Sequence, residues 1–173
     1  SSGGLSYPFE TLLKLFDEVS TIKAIKDWCN DPMLHEKHIR VFQSLPNPVN
    51  VLTTHSAWLM SSLVMGANGL LSGAGSVIAP LQVRLFNAIK NNNLEEAKDI
   101  NDKIFPLVQL FYKPPFLDMH NRMKETLVIL NAIQKAVVRP PLMKLPLKEI
   151  EELKKTVNNI NLDNKLNFVK TVA

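Results

Sequence analysis

From Val41 to Val83 the chain carries no Asp, Glu, Lys or Arg, and Arg40 and Arg84 bracket the stretch. A run this long without charge has to be buried, in a lipid bilayer or in a protein core. A spanning helix needs about 20 consecutive apolar residues. Here Pro46, Pro48, Asn50, His55, Ser61, Ser62, Asn68 and four glycines interrupt the stretch. Buried strands alternating with helices explain it better, and no membrane partner is expected.

The local patterns agree. Val49–Thr54 reads as a strand, Ala57–Met65 as an apolar helix closed by Gly66, and 69–73 as a further strand, followed by a helix over Pro80–Lys90. Upstream, Leu12, Leu13, Leu15, Phe16 and Val19 mark a helix face, and Ile22–Asp27 is a short β-type run. Asp31-Pro32 has the form of an N-cap and first-turn proline. It opens a helix with Leu34, His38, Val41, Phe42 and Leu45 at helical spacing. One helix followed by three strand–helix pairs implies parallel strands joined by right-handed crossovers. The strands are nearly continuous apolar runs, as expected when both faces are buried.

After Asn93 the strand signals stop. Leu94, Ala97, Ile100, Ile104, Leu107, Val108 and Phe111 mark a long amphipathic helix, with a kink expected at Pro106. Pro114-Pro115 breaks the chain before a helix over 117–133. Pro140-Pro141 and Pro146 frame an extended linker, and Leu147, Ile150, Leu153, Val157 and Ile160 mark a last helix. The expected fold class is therefore α/β, with about three parallel strands over 1–92 and a C-terminal helical segment over 93–173.

Composition narrows the function. A 46% hydrophobic and 21% charged content over 173 residues is that of a globular protein, not of a disordered tail or a basic nucleic-acid arm. No nucleic-acid partner is expected. Residues 1–84 hold six basic and six acidic side chains, so the net +4 resides on the C-terminal helices. The lone Cys29 excludes a disulfide framework and a cysteine-based zinc cluster, and fits a reduced, cytoplasmic setting. Ser1–Ser6 has no signal-peptide character and reads as a cut end.

The sharpest chemical feature is Lys26, at the end of Ile22-Lys23-Ala24-Ile25-Lys26. Strand alternation puts Ile22, Ala24 and Lys26 on one face. The carboxyl ends of strands face the active site in α/β folds. A lysine held there in apolar surroundings has its charged form disfavoured, and its neutral amine can attack a carbonyl to form a Schiff base. The plainer alternative is a surface lysine snorkelling from a strand end. Thr53-Thr54-His55-Ser56 ends the second strand, where it can bind a polar substrate or cap the next helix. Gly66-Ala67-Asn68-Gly69 and Gly73-Ala74-Gly75-Ser76 can bring backbone N–H groups to an anion. They lack a dinucleotide fingerprint or a P-loop, and close strand–helix packing is the simpler account. His35 and His38 lie three apart on a helix, a spacing that permits metal binding. With no carboxylate or cysteine partner at ligand spacing, they and His120 read as solvated or half-buried. No Ser-His-Asp order with a nucleophile elbow is present. Trp28 and Tyr112 read as single aromatics, not as a stacking platform.

Together these features resemble the C-terminal half of the dihydrodipicolinate synthase / N-acetylneuraminate lyase family, class I aldolases and dehydratases on a (β/α)₈ TIM barrel. Ile22-Lys23-Ala24-Ile25-Lys26-Asp27 matches each place of the family's lysine motif. Gly66-Ala67-Asn68-Gly69-Leu70-Leu71-Ser72 resembles the glycine-rich motif of its eighth strand. Val77, Ala79 and Pro80, Leu94–Ala97 and Leu145-Pro146-Leu147 fit the helices that follow. The resemblance implies that Lys26 forms the Schiff base with pyruvate or another 2-keto acid, and that no metal or organic cofactor is needed. It also implies that Thr54, His55, Leu71, Ser72 and Gly73 line the substrate, and that the chain assembles as a dimer or tetramer.

Several positions depart from the family. Trp28 replaces a small residue, Thr54-His55 replaces Gly-Asp, and Asp118–Lys124 differs. Ser2 stands where the synthases have a carboxylate-gripping arginine. These differences favour another 2-keto acid, including a sugar-derived one, over the substrate of true synthases. Three strands cannot close an eight-stranded barrel, so activity is expected to need an N-terminal half-barrel that brings the family's proton-relaying tyrosine. The alternatives are a non-catalytic half-barrel or assembly module, and a nucleotide-binding α/β domain.

Overall fold

The computed structural model describes residues 7–162. The expectations at Ser1–Ser6, Ser2 included, and over 163–173 lie outside the described residues. The contacts divide the chain into two units. One holds the residues up to Gly73 with Phe86–Leu94, and the other holds Ala74–Leu85 with the residues from Glu95 onward.

The first unit opens with α1 (Phe9–Glu18), β1 (Ala24–Asp27) and α2 (Pro32–Phe42). Asp31 caps α2 as the sequence predicts. Its carboxylate accepts the Met33 and Leu34 amides at 3.0 and 3.2 Å, and Pro32 occupies the first turn, where its missing N–H costs nothing. Then follow β2 (Asn50–Thr53), a 3₁₀ turn (Ser56–Trp58), α3 (Leu59–Val64) and β3 (Gly69–Leu70). Gly66, at φ 107°, supplies the left-handed residue that ends α3.

The three strands form one parallel sheet in the order β1-β2-β3. Lys26 is level with Leu52, and Leu52 with Gly69. The expected third strand shrinks to two paired residues, although the Leu71 amide still donates to the Thr53 carbonyl at 2.8 Å. The expectation of strands buried on both faces fails at β1. Ala24 and Lys26 are exposed, and Asp27 is buried on the other face, where α2 lies. The core of this unit includes Phe16, Ile39, Phe42, Val49, Val51, Leu59 and Leu63. Phe42 takes the edge of Phe16 and stacks on Phe9, which joins α1 to α2.

Helix α4 (Gly75–Lys90) begins a turn before the expected Pro80. Ile78 leaves helical geometry just ahead of that proline. In the second unit, α5 (Leu94–Tyr112) remains one helix through Pro106, which lies on its exposed face. There water can take the carbonyl left unbonded. A 3₁₀ turn (Phe116–Asp118) leads into α6 (Met119–Ile129), shorter than expected, and α7 (Leu147–Asn159) follows.

Arg122 on α6 is fully buried. It pairs with Glu149 and donates to the carbonyls of Phe111, Lys113 and Pro114 at 3.1, 2.6 and 3.4 Å. Carbonyls at a helix C-terminus lack intrahelical partners, and the prolines that follow have no N–H to offer them. The guanidinium does that work. No described helix is long and apolar enough to cross a membrane.

Candidate functional site

The sheet presents two faces at the carboxyl end of β1, and consecutive residues take one each. Lys26 is exposed on the face it shares with Leu52 and Gly69. The apolar surroundings expected for this lysine are therefore not supplied by the described residues. Leu71, beyond β3, is also exposed. Ser56 does not cap a helix. Its hydroxyl lies 2.5 Å from that of Ser72, tying the end of β2 to the end of β3. Thr54 does not cap one either, and its buried side chain sits beside a backbone that extends the β1–β2 ladder (Thr54 N–H to Asp27 O, 3.2 Å). Trp28 is half exposed.

On the other face lies a buried polar cluster that sequence reasoning missed. Asp27 is 3% exposed. Its Oδ2 accepts from His35 Nδ1 at 2.6 Å and His38 Nδ1 at 2.8 Å, and its Oδ1 accepts the Cys29 amide at 2.9 Å. The reading of His35 and His38 as partnerless and solvated is thus corrected, since both are buried and both bond Asp27. The signal was available: alternation turns Asp27 away from Lys26, towards the helix that follows β1. His35 and His38, one turn apart, share the helix face that meets it. Burial alone would raise the Asp27 pKa. The hydrogen bonds from His35 and His38, the His38 charge and the Cys29 amide outweigh burial and hold the carboxyl well below the usual range.

The cluster continues outward. His35 Nε2 lies 2.7 Å from the Ser62 hydroxyl. With Nδ1–H committed to Asp27, the hydroxyl is the donor. His55 packs edge-on to His35 and stacks on Trp58, with ring centroids 5.0 and 4.1 Å apart. The structure buries His55 rather than presenting it to solvent. Burial, reinforced by His35 and opposed by Asp27, lowers its pKa to about 4, so the ring is neutral at pH 7. Cys29 Sγ lies 4.0 Å from His55 Nε2 and 3.3 Å from the Asp31 carbonyl. Burial pushes the thiol up to about 12, against the Asp31 hydrogen bond and with help from the Asp27 and Asp31 charges. A thiol held protonated in this way is no nucleophile.

Comparison with known proteins completes the description. The dihydrodipicolinate synthetase family matches residues 2–160. The 4-hydroxy-tetrahydrodipicolinate synthase of Chlorobium luteolum is 29% identical over 107 residues, which are 62% of this chain and 35% of that protein. Among solved structures, the Escherichia coli K12 prophage protein YagE, of the dihydrodipicolinic acid synthase family and in complex with pyruvate, superposes with a TM-score of 0.75. Its identity is 23%, over 86% of this chain and 49% of that one. N-acetylneuraminate lyase from Fusobacterium nucleatum superposes with a TM-score of 0.74 at 22% identity, over 91% of this chain and 51% of that one. The chain thus spans about half the length of these solved chains, and about a third of the Chlorobium enzyme aligns with it. With the fold shared and the family matched over nearly all its residues, the chain belongs to the dihydrodipicolinate synthetase family.

Proposed function

We propose that this chain carries the Schiff-base lysine of a lyase that uses pyruvate or a related 2-keto acid, as an aldolase or a dehydratase. The observation that carries the reading is the place of Lys26. It stands at the carboxyl end of a parallel strand, on the face turned away from the helix, in a chain of this family. In the proposed reaction the neutral Lys26 amine attacks the C2 carbonyl and water leaves. The resulting iminium withdraws electrons from C3, which permits C3–C4 cleavage, aldol addition or dehydration.

The pyruvate complex of YagE supports the substrate class. Leu71, Ser72 and Gly73 would border the substrate beyond β3, and Thr54 and His55 would shape the site from beyond β2. A three-stranded sheet encloses no substrate, so further strands must pair with it. They come from the same polypeptide or from another chain, and a homo-oligomer is the expected assembly. Neither the lyase step nor the substrate requires a cofactor, and a reduced cytoplasmic setting suits it.

Incubation with pyruvate and borohydride tests the reading. A stable mass increment on the Lys26 peptide, absent in Lys26→Arg, is the expected result. A folded, fully assembled protein that traps no pyruvate overturns it. The exposure of Lys26 in the present sheet favours one competing reading, a non-catalytic assembly module. That reading predicts stable association with a partner chain and no trapping.

A further inference from the structure

Asp27, Cys29, His35 and His55 each offer one ligating atom, and the four atoms lie within 4.8 Å of one another. The cluster draws on both β–α connections. Asp27 ends β1, Cys29 lies in the loop after it, His35 is in the first turns of α2, and His55 follows β2. We propose that these four side chains form a zinc-binding site on the face of the sheet opposite Lys26.

Donor chemistry selects the ion. One sulfur, two imidazoles and one carboxylate suit zinc, whereas magnesium and calcium take oxygen ligands. Charge supports it too. Zinc binding releases the Cys29 proton to the buffer, and a thiolate plus the Asp27 carboxylate then cancel the ion's two positive charges. The ion and its four ligands together then carry no net charge, which lowers the cost of burying the ion.

Geometry is near what the ion needs. Zinc–sulfur and zinc–nitrogen bonds of about 2.3 and 2.0 Å in a tetrahedron separate sulfur from nitrogen by about 3.5 Å. Cys29 Sγ and His55 Nε2 are 4.0 Å apart, so this pair closes by about half an ångström. Asp27 Oδ2 and His35 Nδ1 lie 2.6 Å apart, so these two ligands are already neighbours. His35 gives up one of its two hydrogen bonds, to Asp27 or to Ser62, and the ion replaces it. Cys29 is only part-buried and marks the way in. A bound ion would pin the Trp28-bearing loop to the turn after β2. Its role is structural, and it holds whether or not Lys26 forms a Schiff base.

The test uses the whole chain, reduced, stripped with a chelator and dialysed, then titrated with Co²⁺. The expected product holds one Co²⁺ per chain, with the intense visible bands of tetrahedral cobalt and a thiolate-to-cobalt charge-transfer band in the near ultraviolet. Zn²⁺ should erase both. Cys29→Ser should abolish the charge-transfer band and weaken binding by more than the roughly tenfold to hundredfold cost of losing an outer-shell partner. His55→Ala should weaken it as much, and His120→Ala, outside the cluster, should change nothing. Absence of uptake by the parent chain, a weak octahedral spectrum only, or undiminished uptake by Cys29→Ser overturns the proposal. If His55→Ala fails to fold, Cys29→Ser decides alone.

Discussion

Replacing Asp27 by Asn tests whether the buried cluster holds the first unit together. The carboxylate is 3% exposed and accepts three hydrogen bonds, two from imidazoles and one from an amide. Hydrogen bonds to a charged group contribute about 1.5–3 kcal/mol each. Asparagine keeps the shape but puts an NH₂ group where an oxygen accepts, so a donor faces the imidazole N–H groups. Breaking a buried charged network by changing one member costs about 3–5 kcal/mol. For 150–250 residues each kcal/mol shifts Tm by about 2–4 °C, so the variant should melt roughly 6–20 °C lower. Thermal melts by circular dichroism at pH 7, in chelator, give the measurement.

The acid dependence provides a second readout. A carboxylate whose folded pKa is depressed stabilises the fold above its unfolded value, near 3.8, and loses that stabilisation as pH falls below it. The parent chain should therefore show a loss of stability below about pH 4 that Asp27→Asn lacks. A variant melting within about 2 °C of the parent, with the same acid limb, would show that the three hydrogen bonds contribute no net stability, and the reasoning would fail.

Three further outcomes follow from named contacts. His55 works in a different pH window. Its folded pKa of about 4 lies below the ordinary 6.5, so the unfolded chain takes up the proton first. Metal-free protein should lose roughly 3 kcal/mol between pH 6.5 and 4, and His55→Gln should flatten that decline in urea titrations. Arg122→Ala leaves three carbonyls in the second unit without their buried donor and leaves Glu149 only the longer Lys113 contact at 3.9 Å. It should cost about 3 kcal/mol, read as a lower urea midpoint, and a change under about 1 kcal/mol would sink that account. The Cys29 thiol, raised to about 12, should alkylate with iodoacetamide at least about tenfold more slowly than a free peptide thiol at pH 8. Urea should restore the rate, and equal rates in the folded chain would count against the assignment.

Local signals carried most of the fold. Asp31-Pro32 and Gly66 announce a helix start and a helix end through backbone chemistry confined to a few residues, and the structure uses them so. Strand–helix alternation was enough to order a parallel sheet, because parallel strands need crossovers. Lys26 was visible as a strand-end lysine within a motif. The polar cluster was legible only in part. Strand alternation and the one-turn spacing of His35 and His38 point them at Asp27, 8 and 11 residues away, but Ser62, 27 residues beyond His35, joins them only through the packing of α3. Arg122 escaped for a related reason. In a charged C-terminal stretch it reads as solvated, yet the end of α5 leaves carbonyls for which it is the buried donor.

Ser62, His35 and Asp27 show why distances alone do not make a site. Ser62 Oγ lies 2.7 Å from His35 Nε2, and His35 Nδ1 lies 2.6 Å from Asp27 Oδ2, the bonding order of a hydrolase triad. A nucleophile must also reach a substrate carbonyl beside an oxyanion site. Ser62 has no exposure and sits inside α3, and His35 has none either. The same three residues therefore serve as a relay of hydrogen bonds that fixes α2 and α3 to the end of β1. Ser62→Ala should leave His35 Nε2 unsatisfied and cost about 1–3 kcal/mol, read as a lower urea midpoint. A fluorophosphonate that labels Ser62 in the native protein would refute this, since labelling requires the hydroxyl to be both accessible and activated.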